Sequence, residues 1–317
     1  MGPSIDINQT AEKEKTFLAL IENVFPRVRS YHRGIDLLKD GRIICYDYSI
    51  KIYKYKDKTF TLDFEFKIEP NEEIPTSSMY EVENNIIIFG SYMKLYLLDI
   101  RNNQAKLLQK ISFDFYNYIL QCFKLDNGLI VAHNTINIIF YKYDEQNKKL
   151  DKVDEIKFEI SINKIFEIKN GNIITSINNE LIIYGQNKNI QTRIKINKYI
   201  YSCNVLDWEY ILISYQDKDY PPANCFVDVY SIKNFKLLQT LEVKYRLNDF
   251  IKLNDNLLVA SDVNGNIQEL QIDENHKLST KDIFRAHECP ISRLCKFDDN
   301  KLLSISHDGS VKLWEFN

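Results

Sequence analysis

Residues Ala286–Phe316 read AHECPISRLCKFDDNKLLSISHDGSVKLWEF, and the pattern within this stretch decides the fold. Apolar and polar residues alternate through Ile291–Phe297, Lys301–Ser306 and Val311–Phe316, the period of a strand with one covered face. Asp298-Asp299-Asn300 and His307-Asp308-Gly309-Ser310 interrupt the alternation with residues that favour tight turns. Three short strands joined by such turns make a β-meander.

The same pattern recurs upstream. Counting back from Trp314, the matching place near the end of a third strand falls on Leu270, Tyr230, Tyr184, Tyr141, Tyr96 and Tyr53. The successive spacings are 44, 40, 46, 43, 45 and 43 residues. Before each lies a short β-branched run after a Gly or Asn turn, such as Gly41–Cys45, Asn85–Phe89, Gly128–Ala132, Gly171–Thr175 and Asn256–Ala260. Runs this short, bounded by turn residues, are buried strands and not helices. The innermost strands are expected at Ile35–Leu38, Met79–Val82, Ile119–Leu125, Ile162–Ile168, Tyr201–Leu206, Phe250–Leu253 and Ile291–Phe297. Charged outer strands such as Thr59–Phe64, Lys106–Ile111 and Lys236–Val243 follow each third strand, as suits an exposed edge.

A repeat of 40–46 residues with His, Asp-Gly and an aromatic followed by an acid in its last copy resembles the WD-repeat (WD40) family of β-propellers. The repeats are divergent. Only the last keeps Trp followed by an acid, and only the sixth (Asp262-Val263-Asn264-Gly265) and seventh keep an acid before the glycine. The resemblance implies an all-β, seven-bladed propeller whose last blade takes its fourth strand from the N-terminus. Residues 15–317 form the propeller on this reading, after a flexible tail over residues 1–14. Counting back from Ile35 places the closing strand at about residues 18–24. An amphipathic helix is the alternative over residues 10–24, because Phe17, Leu20, Ile21 and Val24 also fit helical spacing. The strand is preferred, since an unclosed blade leaves an apolar edge exposed.

The resemblance also assigns His287, Ser304, Asp308 and Trp314 to a buried hydrogen-bonded chain that locks blade seven. A Ser, a His and an Asp are the parts of a hydrolase triad. Ser304, however, sits in no Gly-x-Ser-x-Gly elbow, so it would lack exposure and an oxyanion hole.

Composition narrows the function. At 317 residues with 44% hydrophobic content the chain can bury a substantial core, and its net charge of −3 gives no electrostatic case for nucleic acid. The six cysteines (45, 122, 203, 225, 289 and 295) show no metal-ligand spacing and suit a reducing, cytoplasmic or nuclear compartment. Residues 1–15 lack the apolar core of a signal peptide, and no run reaches the length of a membrane span. Phosphate-binding loops, dinucleotide fingerprints and His-Glu-x-x-His do not occur, so no catalytic residue, metal or cofactor is expected.

Several loop features suit partner contacts. The connection into blade three carries Phe113, Phe115, Tyr116 and Tyr118, and blade five inserts Tyr215–Asn224, with Tyr215, Tyr220 and Pro-Pro, where sister blades turn in a few residues. The basic run Lys51, Lys54, Lys56 and Lys58 reads as a solvated blade edge. Six of the nine arginines fall at connections into blades one, six and seven: Arg27, Arg29, Arg33, Arg246, Arg285 and Arg293. Arginine binds carboxylate or phosphate through a two-pronged fork. These connections share one face, which makes Arg29, Tyr31, Arg33, Arg246, Arg285, Arg293, Tyr215 and Tyr220 the candidate contacts for an acidic or phosphorylated peptide. Local ion pairing with Asp282, Glu288 and Asp36 is the competing account of the arginines.

The expected function is a non-enzymatic scaffold or adaptor that binds peptides or protein surfaces on its loop face, as a monomer within a multiprotein complex. One alternative is an obligate structural subunit bound through blade edges, which apolar residues on the outer strands would favour. Another is a phosphoinositide-binding propeller, for which no Arg-Arg pair beside a protruding apolar loop is present.

Overall fold

The computed structural model describes residues 16–21, 34–46, 49–67, 79–91, 93–113, 119–168, 171–177, 179–196, 198–206, 209–217, 224–275 and 277–316, with the backbone alone for the first segment. The proposed tail, residues 22–24 of the expected closing strand, and Phe115, Tyr116 and Tyr118 lie outside the described residues.

Strand β1 (Thr16–Ile21) comes first. Blade one follows with β2 (Gly34–Leu37), β3 (Ile43–Tyr46), β4 (Ile50–Lys56) and β5 (Thr59–Phe66), and blade two with β6 (Tyr80–Glu83), β7 (Ile86–Ser91), β8 (Lys94–Asp99) and β9 (Lys106–Ser112). Blade three holds β10 (Gln121–Lys124), β11 (Ile130–His133), β12 (Asn137–Asp144) and β13 (Lys149–Lys157). Blade four holds β14 (Lys164–Ile168), β15 (Asn172–Ile177), β16 (Glu180–Tyr184) and β17 (Ile190–Lys195). Blade five is β18 (Ile200–Leu206), β19 (Tyr210–Gln216), β20 (Cys225–Ser231) and β21 (Leu237–Val243). Blade six is β22 (Leu247–Asn254), β23 (Leu257–Asp262), β24 (Asn266–Ile272) and β25 (Leu278–Arg285), and the chain ends through β26 (Ile291–Lys296), β27 (Lys301–Ser306) and β28 (Val311–Glu315).

Each blade is a four-stranded antiparallel sheet in chain order, except the seventh, whose order is β1-β28-β27-β26. The N-terminal segment is therefore the strand that closes the ring, and it occupies Thr16–Ile21, two residues before the expected start. Its pairing removes the open edge that β28 would otherwise present.

The second and third strands are buried on both faces, which is why they read as continuous Ile/Leu/Val runs. The cores lie between blades. Ile35, Ile43 and Cys45 of blade one pack on Leu303, Ile305 and Leu313 of blade seven. Side chains also join the blades. The Glu81 carboxylate accepts the Lys39 amide at 2.5 Å, and the Asp249 carboxylate accepts the Leu294 amide at 3.0 Å. Gln109 clasps both the amide and the carbonyl of Leu150, at 2.6 and 3.1 Å, and Gln239 does the same to Leu278 at 2.9 and 2.6 Å.

Every outer strand carries a β-bulge at an equivalent place, opposite Tyr53, Leu98, Tyr141, Tyr184, Tyr230, Leu270 and Trp314. This register corrects one assignment from the sequence. In blade two the counterpart of Trp314 is Leu98, not Tyr96. The two residues share a face because strand side chains repeat every second residue, so the sequence pattern could not separate them. Tyr96 stacks instead on Phe89, with ring centroids 5.2 Å apart.

Candidate functional site

The four residues of the expected lock meet in blade seven. The Trp314 Nε1–H donates to Ser304 Oγ at 2.9 Å, and His287 Nε2 lies 2.7 Å from the same hydroxyl. His287 Nδ1 lies 3.2 Å from Asp308 Oδ2 and 3.0 Å from Ser310 Oγ. A neutral imidazole protonated on Nδ1 satisfies the whole chain: indole to hydroxyl, hydroxyl to Nε2, and Nδ1 to carboxylate. Burial holds the His287 pKa below its usual value against the opposing pull of Asp308. Burial would raise the Asp308 carboxyl, but hydrogen bonds from His287 and Ser310 bring it far below the usual carboxylate range. Ser304 is fully buried, so its hydroxyl meets no substrate.

Blade six packs directly under this chain. Its Gly265 carbonyl accepts the amides of Ala286 and His287 at 3.0 and 2.9 Å. A Cβ on Gly265 would lie 2.5 Å from the carbonyl oxygens of His287 and Cys289. The Asp262 carboxylate organises the same turn, accepting the Asn264 and Asn266 amides at 2.8 and 3.0 Å and both the Asn266 and Gln268 side-chain amides at 2.9 and 3.2 Å.

The candidate contact residues divide. Arg29, Tyr31, Arg33 and Tyr220 lie outside the described residues. Arg293 forms an ion pair of 3.1 Å with Asp36 across the junction of blades seven and one. Burial raises the Asp36 carboxyl, partly offset by that guanidinium. Arg285 donates to the Glu288 carbonyl at 2.7 Å. Arg293 thus has the local ion pairing of the competing account, whereas the partner of Arg285 is a backbone carbonyl. Tyr215 is buried at 3% exposure and donates its hydroxyl to Asp228 at 3.0 Å. Its ring packs with Phe226 and offers no surface to a partner, a correction to its expected role. The irregular blade-five insertion made Tyr215 look like a loop residue, whereas the β19–β20 hairpin extends through it.

Arg246 is different. Its guanidinium lies over the Tyr201 ring at 4.4 Å, and its buried Nε has no hydrogen-bond partner among the described residues. Tyr201 meets the half-exposed Tyr199 edge to face at 5.0 Å. Beside Tyr199, Lys198 holds its ammonium 4.2 Å from the Tyr215 ring and 5.3 Å from Phe226. Lys244 stands 5.3 Å from Tyr245. Lys198, Tyr199, Lys244, Tyr245 and Arg246 lie in the connections into blades five and six, and Tyr201 at the start of β18, on the face that also carries the His287 connection. Sequence reasoning found Arg246 and missed Lys198, Tyr199, Tyr201 and Lys244. The available signal was the alternation of Lys and Tyr in Lys198–Tyr201 and Lys244–Arg246.

A cavity of about 400 Å³ is lined by Gln121, Phe123, Lys124, Glu167, Asn204 and Val205 among others. Its polar groups join blades: Glu167 accepts the Asp126 amide at 2.8 Å, and Asn204 donates to the Phe250 carbonyl at 2.6 Å. Among the described residues, no helix is long and apolar enough to cross a membrane.

No family model matches the chain, and no curated protein matches it. Solved structures do. One described as "Crystal Structure of Mitotic Checkpoint Complex" superposes with a TM-score of 0.78 at 9% identity, covering 100% of this chain and 97% of that one. The "WD40 beta propeller domain of Doa1" gives 0.72 at 12% identity, with coverages of 96% and 97%. A structure of "BBS1N in complex with ARL6DN" gives 0.70 at 13% identity, again with 96% and 97%. Identities this low carry the fold alone. That fold is the seven-bladed WD40-type β-propeller, with its last blade closed by an N-terminal strand.

Proposed function

We propose that this protein is a non-enzymatic interaction platform that binds peptides or protein surfaces on the face carrying its inter-blade connections. The observation that carries this reading is the group of cations and aromatic rings at the connections into blades five and six. There Lys198, Lys244 and Arg246 are anchored on Tyr215, Tyr245 and Tyr201, so side chains on loops are held in place by a rigid ring. The non-enzymatic part rests on Ser304, which is fully buried and locked between Trp314 and His287. Two similar structures come from assemblies, one a checkpoint complex and one a complex with ARL6DN, which supports a role among protein partners. The proposed state is a monomer within such a complex, in the cytoplasm or nucleus, consistent with six free cysteines.

A second reading has its own observation. Leu62, Leu107, Val153, Ile190, Leu237 and Leu238, each 44–55% exposed, stand on the outer strands of blades one to five. A structural subunit held through the side wall of the ring would use them.

Affinity purification from the native cell, with lysine cross-linking of the captured complex, separates the two. Cross-links at Lys164, Lys198 and Lys244 are expected for the loop-face platform. Cross-links confined to outer-strand lysines such as Lys106, Lys152 and Lys281 would overturn it in favour of the structural subunit.

A further inference from the structure

We infer that the cavity between the innermost strands of blades three, four and five binds a free α-amino acid with an apolar side chain, whose ammonium meets Glu167 and whose carboxylate meets Lys124. This goes beyond the interaction platform, because the cavity is built from β10, β14 and β18 and not from the connections between blades.

Unanswered charge is the first reason. Glu167 is 8% exposed, accepts the Asp126 amide at 2.8 Å, and meets no other donor and no cation among the described residues. Other acids of the innermost strands are better served. Asp36 pairs with Arg293, Glu81 accepts the Lys39 and Asn85 amides at 2.5 and 2.6 Å, and Asp249 accepts the Phe250 and Leu294 amides at 3.1 and 3.0 Å. Burial raises the Glu167 carboxyl, the Asp126 amide lowers it, and the Asp126 charge raises it again. A carboxylate desolvated without a counter-charge gains from an incoming cation. Lys124 lines the same cavity, and among the described residues its ammonium forms no ion pair with Glu167 or any other acid. Two opposite charges therefore border one space without neutralising each other. A simple cation would bring a like charge to Lys124, and a simple anion would bring one to Glu167. A ligand that carries both signs suits both.

The walls are the second. Phe123, Phe166 and Val205, each partly buried between blades, give the cavity an apolar side that suits an aliphatic or aromatic side chain. The side-chain oxygens of Gln121 and Asn204 already accept the Ile165 and Val205 amides, at 3.4 and 2.8 Å, and Asn204 Nδ2 donates to the Phe250 carbonyl at 2.6 Å. Apolar surface and the two charges are thus the main groups offered to a ligand. The volume of about 400 Å³ lies within the roughly 300–1,000 Å³ of small-molecule sites. A peptide is the poorer occupant, because its amide bonds leave an ammonium and a carboxylate only at opposite ends. A lysine or arginine side chain of a partner would answer Glu167 and leave Lys124 facing a like charge.

Isothermal titration of the purified full chain with L-leucine, L-methionine and L-phenylalanine tests the site. At least one of the three should bind with a Kd below about 1 mM. The N-acetyl derivative of the strongest binder lacks the ammonium and should bind at least about tenfold more weakly, and its amide, which lacks the carboxylate, about fivefold more weakly. Glu167→Gln keeps an acceptor for the Asp126 amide and should weaken binding by about 10- to 100-fold, the range for a hydrogen bond to a charged group. Lys124→Met should weaken it by about fivefold, the upper range for an exposed ion pair, and its exposed position keeps the ring folded if Glu167→Gln does not fold. Lys56→Met, an exposed change in blade one, should leave binding unchanged. Failure of all three amino acids to bind, equal binding of the N-acetyl derivative, or indifference to both Glu167→Gln and Lys124→Met overturns the proposal. So does tighter binding of the dipeptide leucyl-leucine than of any free amino acid, which would assign the cavity to a peptide terminus.

Discussion

Replacing Ser304 by alanine removes one hydroxyl from the centre of blade seven and leaves two buried groups without a partner. The Trp314 Nε1–H loses its acceptor at 2.9 Å, and His287 Nε2 loses its donor at 2.7 Å. The void left by a single hydroxyl at this fully buried position is too small for a water, so no solvent restores the two bonds. An unsatisfied buried polar group costs about 1–3 kcal/mol, so Ser304→Ala should destabilise the protein by about 2–4 kcal/mol. Unfolding entropy near the melting point is roughly 2.1 cal/mol/K per residue. For 317 residues unfolding as one unit, that lowers the midpoint by about 3–6 °C. Urea unfolding and differential scanning calorimetry measure both quantities. Trp314→Phe in a double-mutant cycle isolates the shared bond, and a coupling of about 1 kcal/mol or more is expected between the two positions. A Ser304→Ala loss below about 0.5 kcal/mol, or strict additivity with Trp314→Phe, would refute the assignment of these residues to one connected chain.

Other outcomes follow from the same geometry. Gly265 has φ +83° and a Cβ there meets backbone carbonyls at 2.5 Å, whereas Gly41 has φ +85° and open space. Gly265→Ala should cost about 2–4 kcal/mol and Gly41→Ala about 1–2 kcal/mol, compared by urea unfolding; equal losses would show that the contact with blade seven is unimportant. Burial lowers the pKa of His133 to about 4, and that of His287 is lowered as well. Both stay neutral in the fold, so their contribution to stability is full well above pH 6.5, where the unfolded imidazoles are also neutral, and is lost as pH falls through 6.5 towards 4. His133→Gln should flatten that decline, which for this residue amounts to about 3 kcal/mol at its limit. Deleting residues 1–21 removes the partner of β28 and should leave a protein that aggregates, read by light scattering. A monomeric deletion variant with an unchanged melting point would contradict strand closure.

Much of the architecture was legible because it is local. Each blade carries its own alternation, its own turn residues and a spacing set by four short strands, so Ile130–His133 or Leu257–Asp262 can be placed without knowing any neighbour. The lock of blade seven was legible for a similar reason: His287, Ser304, Asp308 and Trp314 lie within one repeat. The closing strand was placed two residues late and left open to a helical alternative. Phe17, Leu20 and Ile21 fit the helical period, and only the free edge of β28, at the other end of the chain, selects the strand. The face that carries the inter-blade connections was the least legible part. Arg246 stood out as an arginine, but its value depends on Tyr201, and that of Lys198 on Tyr215, contacts that no spacing rule predicts.

The sequence by itself determined the number of blades, the strands within each and the turn chemistry that joins them, since hydrophobic period and turn propensity act over a few residues. Only the tertiary structure decided which charges remain available. Arg293 finds Asp36 at a separation of 257 residues because ring closure sets blade seven against blade one. Tyr215 turns inward to Asp228 because the hairpin of blade five continues past it. Among the described residues Arg246 meets no such carboxylate, and its guanidinium is held over an aromatic ring of the preceding blade. An electrostatic partner is chosen by distance in space, and in a closed ring that distance is fixed by how the blades meet.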